Sequence, residues 1–495
     1  MEPSQFIDEF RPFRRGELAL AHALTRDALA LPPADVDVLR YALRLAQLSS
    51  LGTTRDSLVE PLASFRLRLV QTLAPIMPTG PHEMDEQVLR TAVDGVTELV
   101  DAAHARVRTG GRVSAEALDA EISHKRLVLV LGGAGGCGYV YLGVLQRLAE
   151  LSIEPSYLLG CSMGAILAVL RARSRHFELD ELLEEIRLLR AVAALAAPTG
   201  SRFGLPGSMR LDLHRALGPL FTHDDGTPVS LGDLDLRVEV LATGIGVGAL
   251  PLAREQYGTL VQTEHRSAEA LSKLSGSAVA RAVSALIALA MSRRLLVPIL
   301  FGAEEGTRDL PALDAAGFSS AIPVLLGYDL PEEDQTSASI LERVFARNGL
   351  TALCDGLVSS AVPAHWAWDR VEGGLIGTRN CAIVALHALE APQKGAGVLL
   401  TPFTRVFAAT AHRDRPFWDL CVTFKRTPGV FDLLPGEATL RDAAEAGREA
   451  FEEAAGVLPE LLKTLPPWRE IVAKRSRPAT HTRSTRRRNR GEQIA

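Results

Sequence analysis

The sequence predicts an α/β fold, namely a three-layer, mostly parallel sheet with helices on both faces, preceded by an all-helical N-terminal region. Two observations support this prediction. From Lys125 onward, short apolar runs alternate with glycine-containing turns and helical segments, which is the pattern of parallel strands joined by crossover helices. Before residue 120, apolar residues recur at steps of three and four, which is the period of amphipathic helices.

The N-terminal region, residues 1–120, contains helical-period segments separated by short breaks. We predict helices in GELALAHALTRDALAL, ADVDVLRYALRLAQL, DSLVEPLASFRLRLVQTL and EMDEQVLRTAVDGVTELVDAAHARV. Ser57 followed by Glu60 fits a capping box at the start of the third helix. The breaks at 75–83 and 108–114 contain Pro or Gly, and they predict an internal turn and the end of this region.

The chain after this region predicts the strands of the sheet. LVLVL at 127–131 is a continuous apolar run of the kind found in strands buried on both faces, and PSYLLG at 155–160 predicts a second strand. Helices are predicted at 143–151 and 164–175, and further strands at 236–245 and 380–388. We expect one α/β domain over residues 125–455, followed by a C-terminal extension over 456–495.

Composition and charge indicate a soluble globular protein. Of the 495 residues, 47% are hydrophobic and 23% are charged, and the formal net charge is −5. We expect a cytoplasmic location, because the first 20 residues lack the apolar core of an export signal. The five cysteines are dispersed and form no C-x-x-C pair, which suits a reducing compartment. The apolar stretch at 282–292 is shorter than the roughly 20 residues needed to span a bilayer.

Two segments are candidates for peripheral membrane contact. Residues 474–490 carry eight Lys or Arg and no acid, which predicts a disordered basic tail, with a weak tether to anionic lipid or nucleic acid as the alternative. The apolar sequence of residues 278–301 predicts core or cap helices over the site. The alternative is that this segment forms an apolar wall for an acyl chain or a lid that contacts the membrane. The sequence indicates no clear nucleic-acid partner and does not specify an oligomeric state.

The first strand leads into a glycine-rich turn that is suited to hold a negative charge. The turn consists of Gly133, Ala134, Gly135, Gly136, Cys137 and Gly138. Backbone N–H groups at the start of a helix can stabilise an oxyanion. The turn also fits the G-x-G-x-x-G pattern of dinucleotide-binding proteins, but the acid that those proteins carry at the end of the second strand is absent here.

The second strand ends in a G-x-S-x-G sequence formed by Gly160, Ser162 and Gly164. At a strand-to-helix junction this pattern is a nucleophile elbow, in which the flanking glycines allow an exposed serine in a tight turn. Because the two turns follow neighbouring parallel strands, we expect Ser162 and the glycine-rich turn at the same edge of the sheet. A serine nucleophile beside an oxyanion site predicts acyl transfer chemistry.

A nucleophilic serine needs a base, and Asp355 is our candidate. It begins a D-G turn after an apolar stretch, and an aspartate can deprotonate a serine directly when it accepts its hydrogen bond. Asp94 and Asp225 also precede glycines, but the first lies in a helical run before the nucleophile and the second in an ordinary polar turn. The histidines well after the elbow have no recognisable catalytic context: His365, His387, His412 and His481. Neither a metal site nor a cofactor is indicated, since no His and carboxylate cluster has ligand spacing.

Together these motifs resemble the patatin-like phospholipase family. The glycine-rich oxyanion loop, the G-x-S-x-G and the distant D-G-G or D-G-A of that family are similar to residues 133–138, 160–164 and 355–357. The segments FSSAIPVL and GLVSSAVPA are similar to its SAAIP and GGLVNNVPV segments. The resemblance spans about residues 126–455. It implies an α/β acyl hydrolase with Ser162 as nucleophile, Asp355 as its only partner, and phospholipids or related lipids as substrates.

Three positions depart from the family pattern. The family usually has Arg or Lys at the position of Cys137, Gly at that of Ala134, and Gly or Ala at that of Leu357. Loss of the cation removes one electrostatic aid while the backbone donors remain. We therefore expect weakened or specialised catalysis rather than none.

Two other classes of function stay open at this point. A non-catalytic lipid-binding or scaffold protein would account for Cys137 and Leu357, although the intact Ser162 and Asp355 argue against it. A dinucleotide-binding protein would use the loop at 133–138, and saturable NAD binding would support it.

Overall fold

The computed structural model describes most of the chain. The described residues are 6–52, 57–74, 86–109, 113–191, 195–196, 201–248, 250, 256, 295–389 and 410–476. The predicted tail beyond residue 476 and residues 278–294 of the candidate membrane-contact segment lie outside them. Within the described residues, no helix is both long enough and apolar enough to cross a membrane.

The N-terminal region is helical, as predicted. Its helices are α1 (Ile7–Thr25), α2 (Pro33–Ala46), α3 (Val59–Leu73), α4 (Glu86–Thr109) and α5 (Ala115–Ser123). They bury their apolar faces in a shared cluster that includes Leu39, Leu62 and Val96. Helix α1 begins nine residues before the predicted start, because the buried Phe10 and Phe13 extend its apolar face. Helix α5 was not predicted from the sequence.

The capping box predicted at Ser57 and Glu60 was wrong. Helix α3 begins at Val59 with Leu58 in the N-cap position and no side-chain cap. Ser57 lies one residue further out, where its Oγ accepts a hydrogen bond from the Val59 N–H (3.3 Å). The Leu58 N–H donates to the carbonyl of Ser49 (2.7 Å). This backbone contact places the helix start one residue later than the capping box requires.

The rest of the chain forms an α/β unit. Its strands are β1 (Arg126–Leu131), β2 (Tyr157–Cys161), β3 (Leu195–Ala196), β4 (Gly207–Leu211), β5 (Val238–Gly246), β6 (Leu296–Phe301), β7 (Val324–Gly327), β8 (Leu350–Cys354), β9 (Cys381–His387) and β10 (Leu420–Thr423). Its helices are α6 (Tyr141–Glu150), α7 (Met163–Ala172), α8 (Leu179–Ala191), α9 (Leu213–Leu217), α10 (Ala312–Ser319), α11 (Gln335–Asn348), α12 (Ala364–Glu372) and α13 (Glu437–Leu461). The last helix, α14 (Trp468–Arg475), instead packs into the cluster of the N-terminal helices through Trp468 and Ile471.

Among the described residues, the main sheet has seven strands. It is mostly parallel, as predicted. The strand order is β10-β9-β1-β2-β5-β6, and β8 also pairs with β5. Strands β10, β9, β1, β2 and β5 are parallel to one another, whereas β6 and β8 run antiparallel to β5. Every residue of β1 from Leu127 to Leu131 is buried, as its continuous apolar run predicted. A small second sheet has the order β3-β4-β7.

Helical structure was predicted for 278–301, and for the last six residues this was wrong. Residues 296–301 form strand β6, which pairs antiparallel with β5. Strand β6 lies at the edge of the sheet, with none of the other described strands on its outer side. Pro298, which has no N–H, therefore interrupts no hydrogen bonding to an outer strand. The following Gly302, with φ 92°, turns the chain out of the strand.

A buried ionic cluster joins the N-terminal helices to the α/β unit. Glu17 of α1, 1% exposed, accepts hydrogen bonds from Arg44 Nε (2.8 Å) and Gln47 Nε2 (2.9 Å) and lies 3.0 Å from Lys125 Nζ. Burial alone would raise the pKa of the Glu17 carboxyl, but Lys125 and Arg44 together lower it to about 2. Arg44 also donates to the carbonyl of Leu461 at the end of α13 (2.8 Å). Its guanidinium thus connects α1, α2 and α13.

Replacing Arg44 by Met should therefore destabilise the fold strongly. The substitution keeps an apolar stem but leaves the buried Glu17 with one of its two cations and several carbonyls without a donor. We expect the free energy of unfolding to fall by about 3–5 kcal/mol in urea denaturation at pH 7. The control Arg68→Met, at an exposed position of α3, should change it by no more than about 0.5 kcal/mol. A loss in Arg44→Met no larger than in this control would contradict the account.

Candidate active site

Ser162 occupies a sharp turn between β2 and α7. Its backbone has φ 54° and ψ −130°, a conformation that costs a non-glycine residue about 1–3 kcal/mol. Glycine is required on both sides of it. A Cβ at Gly160 would lie 2.5 Å from Ala165 Cα, and one at Gly164 would lie 2.3 Å from the carbonyl oxygen of Leu131. The turn has the geometry that the G-x-S-x-G sequence predicts.

The side chain of Ser162 is hydrogen-bonded to Asp355. The distance from Ser162 Oγ to Asp355 Oδ2 is 2.7 Å, and the two residues are 3% and 1% exposed. Asp355 follows β8, whose last residue Cys354 pairs with Thr243 of β5. Strand β2 ends beside the same strand, with Cys161 opposite Leu241. Strand β5 thus brings the two turns together.

Further hydrogen bonds hold both members of this pair. Ser319, the last residue of α10, accepts a hydrogen bond from the Ser162 N–H (2.8 Å) and donates its hydroxyl to the carbonyl of Leu241 (2.6 Å). The second carboxylate oxygen of Asp355, Oδ1, accepts from the Leu357 N–H (2.8 Å). The serine and the carboxylate are therefore each fixed by a neighbour outside the pair.

The surroundings of Asp355 make its carboxyl a weaker acid than an ordinary aspartic acid side chain. Burial raises its pKa to about 7, because the charged form loses its hydration, while the hydrogen bonds from the Leu357 N–H and from Ser162 act in the opposite direction. A general base works best when its pKa lies near the working pH. At neutral pH, Asp355 can therefore both accept and return a proton.

The glycine-rich loop lies at the same edge of the sheet, and two of its N–H groups are already engaged. The Gly133 N–H donates to the carbonyl of Ala361 (2.9 Å), and the Gly136 N–H donates to that of Val430 (2.8 Å). These contacts shape the loop, and they remove both groups from the set of candidate oxyanion donors.

Two other N–H groups of the loop stay candidate oxyanion donors. Within the described residues, neither Ala134 nor Gly135 donates its N–H to any acceptor. Gly135 lines the same cavity as Ser162. It has φ 53°, and a Cβ there would lie 2.5 Å from the carbonyl oxygen of Val430, so only glycine fits.

The three departures from the family pattern have structural consequences. Cys137 is buried and donates its thiol to the carbonyl of Pro428 (3.2 Å), so its side chain points away from the cavity. Leu357 supplies a backbone N–H to Asp355, and its Cδ1 lies 3.0 Å from where a Cβ of Gly133 would be. Ala134 retains an available N–H. Each departure thus leaves the backbone donors in place.

An apolar cavity lies beside Ser162. Most of the lining side chains are aliphatic, and they include Met163, Ile166, Leu167, Leu170, Leu211, Leu213, Ile322, Leu326, Leu433 and Leu434. Such a lining favours an alkyl or acyl chain over a polar ligand.

The competing candidates lie away from this cavity. Asp94 pairs with Arg475, and Asp225 lies in an exposed turn where it accepts from the Thr227 N–H (2.9 Å). None of the histidines in the described ranges lines the cavity, including His365, His387 and His412; His481 lies outside those ranges. Ser319, which sequence analysis did not single out, is a site residue; it lies within the family-like FSSAIPVL segment.

Comparison with known proteins supports the resemblance. Residues 129–368 match the family model described as patatin-like phospholipase. This range contains the glycine-rich loop, Ser162, Ser319 and Asp355. A search of curated proteins gives no match.

Replacing Asp355 by Asn should stabilise the protein increasingly as the pH rises. The pKa of Asp355 in the fold, about 7, exceeds the value of about 3.9 expected in the unfolded chain, so its ionisation destabilises the fold progressively from pH 4 to pH 7. Asparagine does not ionise. We expect the free energy of unfolding of Asp355→Asn, relative to wild type, to increase between pH 4.5 and pH 8 in urea denaturation.

The matched control is Asp225→Asn, at the other D-G turn. Hydrogen bonds from Thr227 lower the pKa of Asp225 below its ordinary value of about 3.9, so its ionisation affects stability only below about pH 4, and the difference between this variant and wild type should stay constant between pH 4.5 and pH 8. A stability difference for Asp355→Asn that does not change with pH would contradict the burial argument.

Proposed function

We propose that this protein is a serine acyl hydrolase that cleaves fatty acyl esters of phospholipids or related lipids, because residues 129–368 match the patatin-like phospholipase family model. In this proposal Ser162 and Asp355 form its catalytic dyad. The observation that carries it is the 2.7 Å hydrogen bond from Ser162 Oγ to Asp355 Oδ2 beside an apolar cavity.

The first step forms an acyl-enzyme. Asp355 Oδ2 takes the proton of Ser162 Oγ as that oxygen bonds to the ester carbonyl carbon. The carbonyl oxygen becomes an oxyanion, which the free N–H groups of Ala134 and Gly135 stabilise. When the bond to the leaving oxygen breaks, Asp355 returns the proton to the departing alcohol.

The second step releases the fatty acid. A water molecule gives a proton to Asp355 and attacks the acyl carbonyl carbon, and the same N–H groups stabilise the second oxyanion. The bond to Ser162 Oγ then breaks, and Ser162 recovers its proton from Asp355. One carboxyl group thus serves both half-reactions, for which a pKa near 7 is suited.

The cavity supports a lipid substrate. Its aliphatic lining would bury the acyl chain, and each methylene removed from water would contribute about 0.8 kcal/mol of favourable binding free energy. We propose that the protein meets its substrate at a membrane surface. The part of residues 278–301 that precedes β6 and the basic tail at 474–490 stay our candidates for that contact.

The two alternative functions have less support. A dinucleotide would need to approach the glycine-rich loop, but a Cβ at Gly136 would lie only 2.3 Å from the carbonyl oxygen of Gly429, so protein backbone already covers the loop there. A purely lipid-binding role would not require a buried serine held 2.7 Å from a carboxylate, since both groups are costly to bury.

A fluorophosphonate probe tests the proposal. We expect the wild-type protein to be phosphonylated at Ser162, as identified by mass mapping of the labelled peptide. Labelling should disappear in Ser162→Ala and slow by about 10²–10⁴-fold in Asp355→Asn, which loses the base. Asp225→Asn, at the exposed turn, should label at the wild-type rate. If the folded wild type is not labelled, or if Ser162→Ala is labelled equally, the proposal fails.

A further inference from the structure

One hydroxyl group in the cavity has no hydrogen-bond partner in the part of the chain that the structure describes. Ser320 is 6% exposed and lines the cavity together with Ser162. Its Oγ is buried and, among the described residues, meets no donor or acceptor. The other two lining hydroxyls are engaged, since Tyr139 donates to the carbonyl of Leu433 (2.6 Å) and Ser162 donates to Asp355.

Ser320 lies near the reacting groups rather than at a remote part of the cavity. It follows Ser319, whose Oγ is 2.8 Å from the Ser162 backbone nitrogen, and consecutive Cα atoms are only 3.8 Å apart. On its other side, the carbonyl of Ala321 accepts from the Asp355 N–H (2.9 Å). Residues 319–321 therefore contact both members of the proposed dyad.

The backbone of Ser320 is fully occupied, so its conformation is fixed without help from the side chain. Its N–H donates to the carbonyls of Ala316 (3.0 Å) and Gly317 (3.1 Å), at the end of α10. The hydroxyl is thus not needed to hold the turn. It is a polar group kept in an apolar cavity, at a cost in stability that a bound acceptor would offset.

The chemistry of the substrate indicates what this acceptor is. The methylene chain of a fatty acyl ester accepts no hydrogen bond, whereas its ester oxygens do. Ser320 lines the cavity together with Ser162 and adjoins Ser319, which holds the Ser162 backbone, so its hydroxyl is placed for the polar end of the substrate. The aliphatic side chains that line the rest of the cavity would then contact the acyl chain of the substrate.

We propose that Ser320 is a substrate-binding residue whose hydroxyl donates a hydrogen bond to an oxygen of the bound acyl ester. The inference rests on the proposed function for the identity of the ligand. It assigns to Ser320 a role distinct from that of Ser319, which positions Ser162.

Two variants and two measurements test this role. We expect Ser320→Ala to lower kcat/KM for 4-nitrophenyl dodecanoate by about 3- to 10-fold, as for one neutral hydrogen bond. Its Tm should stay the same or rise, because an unpaired buried hydroxyl has been removed. Ser320→Thr keeps the hydroxyl and should retain kcat/KM within about 2-fold. A merely structural role predicts instead that Tm and activity fall together.

A binding measurement separates this inference from the proposed function. The ketone 2-tridecanone presents a carbonyl oxygen on an alkyl chain and has no ester to cleave, so its Kd does not depend on catalysis. We expect a Kd about 3- to 10-fold higher in Ser320→Ala than in wild type and Ser320→Thr.

The two proposals can then fail separately. If the wild type neither hydrolyses the ester nor reacts with a fluorophosphonate, the hydrolase proposal fails, and the ketone affinities alone decide the role of Ser320. Equal ketone affinity in wild type and Ser320→Ala would overturn that role, as would a fall in Tm that accompanies the loss of affinity.

Discussion

The proposed chemistry depends on one hydrogen bond between two residues that are 193 positions apart in the chain, Ser162 and Asp355. Strand β5 sets their separation, because β2 and β8 both pair with it and end two residues apart along it, opposite Leu241 and Thr243. A register slip of one residue in either pairing would turn its side chains to the opposite face. The sheet register is therefore the constraint on which the site depends.

Both members of this pair are held in states that are unfavourable in isolation. Ser162 has a left-handed φ, and Asp355 is a carboxyl buried with no cation among the groups that shift its pKa. Such strain persists only where the surroundings determine the conformation. Here the conformation is determined by the glycines on either side of Ser162, by the hydroxyl of Ser319 and by strands β2 and β5, which are buried along their whole length. The burial that disfavours the carboxylate is also what makes it a base near neutral pH.

Sequence reasoning succeeded where the cause is local. The glycines at 160 and 164 are required by contacts within a few ångströms of the serine turn, so the motif alone predicts the geometry. The apolar run of β1 likewise predicts a strand buried on both faces. By contrast, the sequence did not indicate which N–H groups of the loop at 133–138 are available. That depends on the carbonyls of Ala361 and Val430, more than 200 residues away in the chain.

The remaining differences between the sequence predictions and the structure also arise from contacts between residues that are far apart in the chain. The apolar run of β6 follows a helical-period segment, and for that reason the sequence predicts a helix there. Its strand conformation comes from pairing with β5. The start of α3 is set by a backbone hydrogen bond to Ser49 rather than by its own capping residues. Ser319 could have been found only from its position in a family-like segment, since a serine at the end of a helix is common and its partner Ser162 lies 157 residues earlier.

The central claim is that the carboxylate of Asp355 activates Ser162, and the pH dependence of Ser162 phosphonylation tests it most directly. Only the ionised carboxylate can accept the proton, and the pKa of this group is about 7. The account predicts that the second-order labelling rate rises about tenfold per pH unit below pH 7 and levels off above it. A rate that does not change between pH 5 and pH 9 would contradict it.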